Sequence, residues 1–298
     1  MIPDAVFFHK LSRLRMAMGH RASMNLTGNH KSTQKGSSME FSDFREYMPG
    51  DDIRRIDWNA YGRLDRLYIK EYMEEKEAVI SILLDTSASM LYGEKKKSEL
   101  ACMLAATFSY IGLNNMDRVV LYDIKDLQNG KMPPPFMAGG GNKALPRLAD
   151  WLNQRTFSDT ADISGAVMRL PVKGNGITII ISDFLQETFL VPEEDTLRKL
   201  LRFLEYRKQR AVLLHVLAQE ELAVTLTGTR NLIDIEDNST LRLTLDAKSI
   251  LVYQKALADF LTSFRAECAR AGAFYAVCST QRDIYQLIFQ DLKGLYDI

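Results

Sequence analysis

The feature that most constrains this chain is an alternation that starts near Glu77 and runs to the C-terminus. Short β-branched runs are separated there by longer stretches of helical period. The strand candidates are Val79 to Leu84, Arg118 to Tyr122, Ile177 to Ile181, Val212 to Leu217 and Phe274 to Cys278. Several are apolar at every position, as strands covered on both faces must be. Between them, Leu100, Met103, Leu104, Thr107, Phe108 and Ile111 keep the spacing of one helical face. Leu197, Leu200, Leu201 and Leu204 do the same, as do Tyr253, Leu257, Phe260, Leu261, Phe264 and Cys268. Strand, helix and strand in repetition require crossover connections. The pattern therefore predicts an α/β fold, doubly wound, with a mainly parallel sheet and helices on both faces.

The rest of the chain departs from that rhythm in three places. A segment over residues 1–38 holds no Asp or Glu from Ala5 to Met39 but carries Lys10, Arg13, Arg15, Arg21, Lys31 and Lys35. It reads as a basic, partly flexible arm, solvated or facing a partner. "PPPFMAGGG", Pro133 to Gly141, reads as an exposed loop leading to a helix around Asn142 to Gln154. "NLIDIEDNSTLRLTL", within residues 222–246, alternates aliphatic and polar residues and reads as an edge hairpin.

Lys plus Arg and Asp plus Glu balance at 38 each over 298 residues, so phosphate binding is a minority reading and a nucleic-acid partner is disfavoured. Cys102, Cys268 and Cys278 show no metal-type spacing and read as buried thiols of a reducing compartment. Met1-Ile2-Pro3-Asp4 does not open a secretory signal, and no apolar stretch is long enough to cross a bilayer. The expectation is a soluble, cytoplasmic protein.

Two of the strand candidates end in carboxylates. "VISILLDTSASM" places Asp85, Ser87 and Ser89 two residues apart at the end of one strand, and "ITIIISDF" ends another at Asp183. In an open parallel sheet both carboxylates fall on the rim where ligands bind. Three short oxygen donors on a tight loop, with a second carboxylate opposite, suit a small hard cation. Taken alone, Asp and Ser after a strand are also ordinary helix caps and turn formers.

Other motifs carry less. Arg45, Asp51, Asp52, Arg54, Arg55 and Asp57, with Trp58, form the densest charged cluster, and alternating opposite charges in a short segment satisfy one another. His9, His20, His30 and His215 lack zinc-ligand spacing, which disfavours a histidine-based hydrolase. Gly139-Gly140-Gly141 is not followed by Gly-Lys-Ser/Thr, so no nucleotide-binding loop is supported.

Asp85-Thr86-Ser87-Ala88-Ser89-Met90 resembles the D-x-S-x-S metal-ion-dependent adhesion site of von Willebrand factor A domains, and the strand ending at Asp183 matches that fold's later metal-site aspartate. A second stretch, "EFSDFREYMPGDDIRRIDWNAYGRLDRLYIKEYMEEKE", Glu40 to Glu77, resembles the signature of a bacterial family known as domain of unknown function 58. The resemblance covers nearly the whole chain from about Gly36. It implies a von Willebrand A-like (Rossmann-like) domain over residues 76–298, preceded by a family-specific signature segment over 39–75 packed on it. It also implies a Mg²⁺ site, also open to Mn²⁺ or Ca²⁺, and a genomic neighbourhood with a MoxR-type AAA+ ATPase. Such modules bind proteins, and an acidic side chain from the partner completes the metal's coordination.

In the fourth loop the family pattern places a threonine on the metal. Here "DTADISGAV" puts Ala161 in that column and Thr160 one residue earlier. Either the loop shifts so that Thr160 serves, or the hydroxyl is missing and Asp159 or Asp162 compensates. The expected function is a metal-dependent protein-interaction module working with such an ATPase, or with its client, in assembly, maturation or stress handling. The alternative is a metal-dependent hydrolase or nuclease using Asp85, Asp183 and the Asp51/Asp52/Asp57 cluster.

Overall fold

The computed structural model describes residues 9–16, 39–74, 78–128, 135–172, 174–191, 195–236 and 239–297. They fall into two compact units: residues 25–77, and residues 78–298 together with the first 24.

The smaller unit is an antiparallel hairpin, Met39–Glu46 against Tyr68–Glu74, with a bulge between Phe41 and Asp43. Its connection carries a 3₁₀ turn at Ile53–Arg55 and a helix at Trp58–Leu64. Local chemistry fixes these pieces. Asp52 caps the turn through the Arg54 N–H, and Asp57 caps the helix through the N–H groups of Asn59 and Ala60.

The larger unit is built on a six-stranded sheet: β1 Val79–Leu84, β2 Arg118–Asp123, β3 Phe136–Ala138, β4 Gly176–Ser182, β5 Gln209–Leu217 and β6 Phe274–Ser279. Their spatial order is β6-β5-β4-β1-β2-β3, and every neighbouring pair is parallel except β2 with β3. Its longer helices among the described residues are α1 Lys97–Asn114, α2 Leu145–Asn153, α3 Ile163–Met168, α4 Thr196–Tyr206 and α5 Ala247–Arg270.

Strand alternation sorts the core into two layers. Ile80, Ile82 and Leu84 of β1, Ile177, Ile179 and Ile181 of β4, and Val212, Leu214 and Val216 of β5 join Leu104, Phe108 and Ile111 of α1 on one face. Leu83, Ile180 and Leu213 point the other way, toward Ala166 and Val167 of α3, Leu200, Leu201 and Leu204 of α4, and Phe264 of α5. Each such fully buried aliphatic stabilises the fold by about 1.5–3 kcal/mol, so both apolar faces of every central strand are used.

Three expectations change. Phe136–Ala138 is an edge strand, pairing antiparallel with Val119–Leu121, where the sequence reads as loop. Three residues between prolines and glycines give no strand signal. The hairpin Gly228–Ile233 with Thr240–Leu245 forms its own two-stranded sheet and does not extend the central one. Part of the basic N-terminal segment belongs to the core rather than to a solvated arm. Leu11 is fully buried, Arg15–Met16 pairs with Tyr296–Asp297, and the amides of Asn114 and Asn115 donate to the carbonyls of Ser12 and Leu14. Lys31 and Lys35 lie outside the described residues.

The chain runs outward from β1 through β2 to β3, then returns to the other side of β1 and runs outward again from β4 to β6. The reversal between β1 and β4 creates a crevice at their carboxyl ends. Asp85 directly follows β1, and Asp183 directly follows β4.

Candidate metal centre

The loop after β1 is held from within. The Asp85 N–H donates to the Ile181 carbonyl at 3.0 Å, which carries the parallel pairing one step past the strand. One Asp85 oxygen accepts from the Ser87 N–H at 2.9 Å, and the other from the Ser182 hydroxyl at 2.5 Å. The Thr86 hydroxyl turns the opposite way and donates to Asp123 at the end of β2, at 2.6 Å. With Thr86 directed away, Ser87 and Ser89 bring their hydroxyl oxygens within 3.0 Å of each other. Asp85, Ser87 and Asp183 are buried, and Ser89 is half-buried.

The charges are unbalanced. Burial, reinforced by the negative charge of Asp183, pushes the Asp85 carboxyl up to about 6, against the pull of its hydrogen bonds from Ser182 and Ser87. Lys97, at the start of α1, is 1 % exposed and donates to Asp183 at 2.7 Å and to Glu221 at 2.6 Å. Burial works to lower the Lys97 pKa, but the Asp183 and Glu221 carboxylates outweigh it and hold it above its ordinary value. Glu221 is raised by burial, with Lys97 opposing, and its second oxygen accepts from the Ala218 N–H at 2.7 Å. Asp183 and Glu221 thus share a single ammonium, while Asp85 is held only by hydrogen bonds from Ser182 and Ser87 and faces the charge of Asp183.

The donors fit a divalent cation on two grounds. All four are short oxygen ligands, as a small hard ion requires. The buried carboxylates also lack enough positive charge, a deficit that a divalent ion would relieve. Among the described residues no three His, Cys, Asp or Glu side chains form a ligand cluster of their own, so any such site depends on the serines.

Of the residues named from sequence, Asp85, Ser87, Ser89 and Asp183 come together at the switch point, and Thr160 does not. Its loop lies alongside, tied by the Ala88 N–H to the Asp159 carbonyl and by the Ser158 N–H to the Thr86 carbonyl. Thr160 itself is exposed and makes no hydrogen bond to the four donors among the described residues. Asp159 takes the Ser158 hydroxyl, Asp162 caps α3 through the Gly165 N–H, and Ala161 is buried in the core. The apolar contact of Ala161 fixes this loop, so a one-residue shift would pull it from the core.

Lys97 and Glu221 were not legible as site residues. Lys97 ends the run Lys95-Lys96-Lys97, and only the fold buries this one of the three.

The second carboxylate cluster has local partners within its own unit. Asp51 takes both guanidinium nitrogens of Arg45, at 2.8 and 2.9 Å, and the Met48 N–H, which together hold its carboxyl down at about 2. Asp52 and Asp57 are the caps described above. Arg54 is exposed, and the side chain of Arg55 lies outside the described residues. His215 is a core residue, fully buried, with Nδ1 2.8 Å from the Tyr275 hydroxyl and its pKa pushed down to about 4 by burial. His20 and His30 lie outside the described residues. Cys268 and Cys278 are buried thiols pushed up to about 12, and Cys102 is half-buried.

The sheet defines an α/β protein with a mixed, mostly parallel sheet and a cluster of oxygen side chains at its switch point. The chain belongs to the family described as protein of unknown function DUF58, whose model matches residues 43–259. Uncharacterized proteins of Mycobacterium tuberculosis and Mycobacterium bovis are each 26% identical over 191 residues, covering 62% of this chain. The chain spans 59% of the length of these relatives. Two solved structures are similar at 13% identity over 73% of this chain. One is the conserved hypothetical protein BatB from Bacteroides thetaiotaomicron, with a TM-score of 0.39 and 98% of that chain covered. The other is an aerotolerance-related membrane protein from Bacteroides fragilis, with a TM-score of 0.40 and 99% covered.

The last description corrects one expectation. A structural neighbour is named a membrane protein, and the cytoplasmic location read from the sequence is withdrawn. No helix among the described residues is long and apolar enough to cross a membrane.

Proposed function

We propose that this protein is a von Willebrand A-like interaction module whose crevice holds a divalent cation, Mg²⁺ or its surrogates Mn²⁺ and Ca²⁺, and uses it to capture an acidic side chain of a protein partner. The observation that carries the reading is the meeting of Asp85, Ser87, Ser89 and Asp183 at the strand-order reversal, with too little positive charge beside the buried carboxylates. Ser87 and Ser89 would bind through neutral hydroxyls, and Asp85 and Asp183 directly or through water. A cation held partly by neutral ligands keeps its attraction for an incoming anion, and that is the chemistry it supplies. The chain's own contribution is to fix the serines by the Asp85 turn and to hold Asp183 against Lys97.

The resemblance of the 40–77 signature favours a MoxR-type AAA+ ATPase, or its client, as the partner. A single-metal hydrolase would also need a base beside an activated water. Asp51, Asp52 and Asp57 are each engaged locally, by Arg45 or by backbone N–H groups, which favours the binding reading.

The test is affinity capture from the native cell, with Mg²⁺ or with a chelator, using wild type and the double variant Ser87→Ala/Ser89→Ala. The expected result is an ATPase of this class retained by wild type in Mg²⁺ and lost both in chelator and with the variant. Retention that ignores chelator and variant alike would overturn the reading.

A further inference from the structure

The hairpin Gly228–Ile233/Thr240–Leu245 sorts its side chains by chemistry and leaves both sorts in solvent. Its register pairs Leu232 with Leu241, Arg230 with Leu243 and Gly228 with Leu245 on one face. Thr229 with Thr244, Asn231 with Arg242 and Ile233 with Thr240 form the other face. Leu241 is 61 % exposed, and Leu245 alone among the twelve strand residues is half-buried. A two-stranded hairpin by itself is marginal in water, and a third strand or a packed face is what makes it stable. Among the described residues no third strand joins this one.

The ladder shows which backbone groups lie on the open edge. The Asp234 N–H donates to the Ser239 carbonyl at 2.8 Å, so these residues form a hydrogen-bonded pair one step beyond Ile233 with Thr240. Alternation along an antiparallel ladder then turns the N–H and C=O groups of Leu241, Leu243 and Leu245 toward the neighbouring strand, and those of Thr240, Arg242 and Thr244 outward. Two contacts agree with this assignment. The Ser249 hydroxyl, from outside the hairpin, reaches the Thr244 carbonyl at 3.5 Å. The Thr229 and Thr244 hydroxyls lie 3.0 Å apart, as side chains of a non-hydrogen-bonded pair can. The six pairs carry no register shift, and Thr240–Leu245 holds neither proline nor lysine. Apart from Arg242, the edge lacks the devices that keep a strand from pairing with another chain.

We propose that the Thr240–Leu245 edge pairs with the same edge of a second copy of this chain, antiparallel and centred on Leu243. The edge fits itself in that register. Leu243 meets its counterpart in a non-hydrogen-bonded pair, Leu241 meets Leu245, and Arg242 exchanges backbone hydrogen bonds with Thr244. Every leucine of the strand then faces a leucine, and each arginine faces a threonine. Centring on Arg242 instead would set two guanidinium groups directly opposite each other, which is unfavourable. The product is a four-stranded sheet with two-fold symmetry, in which the outward N–H and C=O groups gain partners. One strand edge is small for a specific interface, so the association is reversible.

Sedimentation equilibrium over a concentration series, on wild type and Arg242→Pro, tests it together with disulfide cross-linking of Leu243→Cys and Leu232→Cys. The Arg242 N–H points out of the hairpin, so proline there removes an edge donor and leaves the hairpin's own ladder whole. The native thiols are buried or half-buried, so mild oxidation reports on the introduced cysteine. Wild type is expected to approach twice the chain mass as concentration rises, and Arg242→Pro to stay monomeric with an unchanged circular dichroism spectrum. Leu243→Cys should give a disulfide-linked dimer, because its counterpart lies directly opposite. Leu232→Cys, on the far strand of each hairpin, should stay unlinked. A monomeric wild type with no link through Leu243→Cys would overturn the inference and leave the edge to a strand from another protein. A dimer that survives Arg242→Pro would overturn it too, by placing the contact elsewhere.

Discussion

Lys97 shows how one residue can set the character of a buried site. Its ammonium is almost wholly enclosed and makes two short ion pairs, with Asp183 and with Glu221. Enclosed pairs gain little net stability over apolar packing, but removing one member leaves an uncompensated buried charge that costs about 3–5 kcal/mol. Lys97→Met should therefore lower unfolding free energy by about that amount in denaturant titration without added metal. Mg²⁺ should recover part of the loss, because a divalent ion on Asp183 replaces the missing charge. A loss below about 1 kcal/mol would show that Asp183 and Glu221 are wetter than their surroundings imply.

Among the elements, the sequence is most informative where burial is most complete. β1, β4 and β5 are apolar on both faces and were legible within a few residues, as were α1, α4 and α5 from one stripe each. The carboxylates at the ends of β1 and β4 were legible for the same reason, since a polar residue closing an apolar run stands out. β3 was not, because its three residues owe their strand conformation to pairing with β2.

The glycines after β3 have a packing role in place of a phosphate-binding one. A Cβ on Gly140 would meet the Met116 backbone at 2.4 Å, and the Gly141 N–H donates to the Leu113 carbonyl at 2.7 Å. Gly140→Ala should therefore push β3 away from the end of α1, costing about 1–3 kcal/mol in denaturant titration. An unchanged midpoint would mean that this edge moves freely.

For the molecule as a whole, the strand order has the largest functional consequence. The reversal between β1 and β4 puts two carboxylates from distant parts of the sequence at one crevice, and the parallel pairing of β1 with β4 sets their height. Periodicity predicts a parallel sheet but not which strands are neighbours. The meeting of Asp85 with Asp183 therefore rested on the rim argument, and the inward turn of Lys97 had no sequence signal. Thr160 shows the converse: a motif column shifted by one residue did not pull the loop with it, because Ala161 is anchored in the core.

The central claim is that the crevice binds a divalent cation through its serines. Electron paramagnetic resonance of Mn²⁺ tests it most directly, since the free aqua ion gives a sharp signal that weakens on binding. The account predicts that the full chain removes free Mn²⁺ with saturation at about one ion per chain, the stoichiometry of a single oxygen-donor site, and that Ser87→Ala/Ser89→Ala abolishes the uptake. An undiminished free-ion signal with wild type, or equal uptake by the variant, would contradict it.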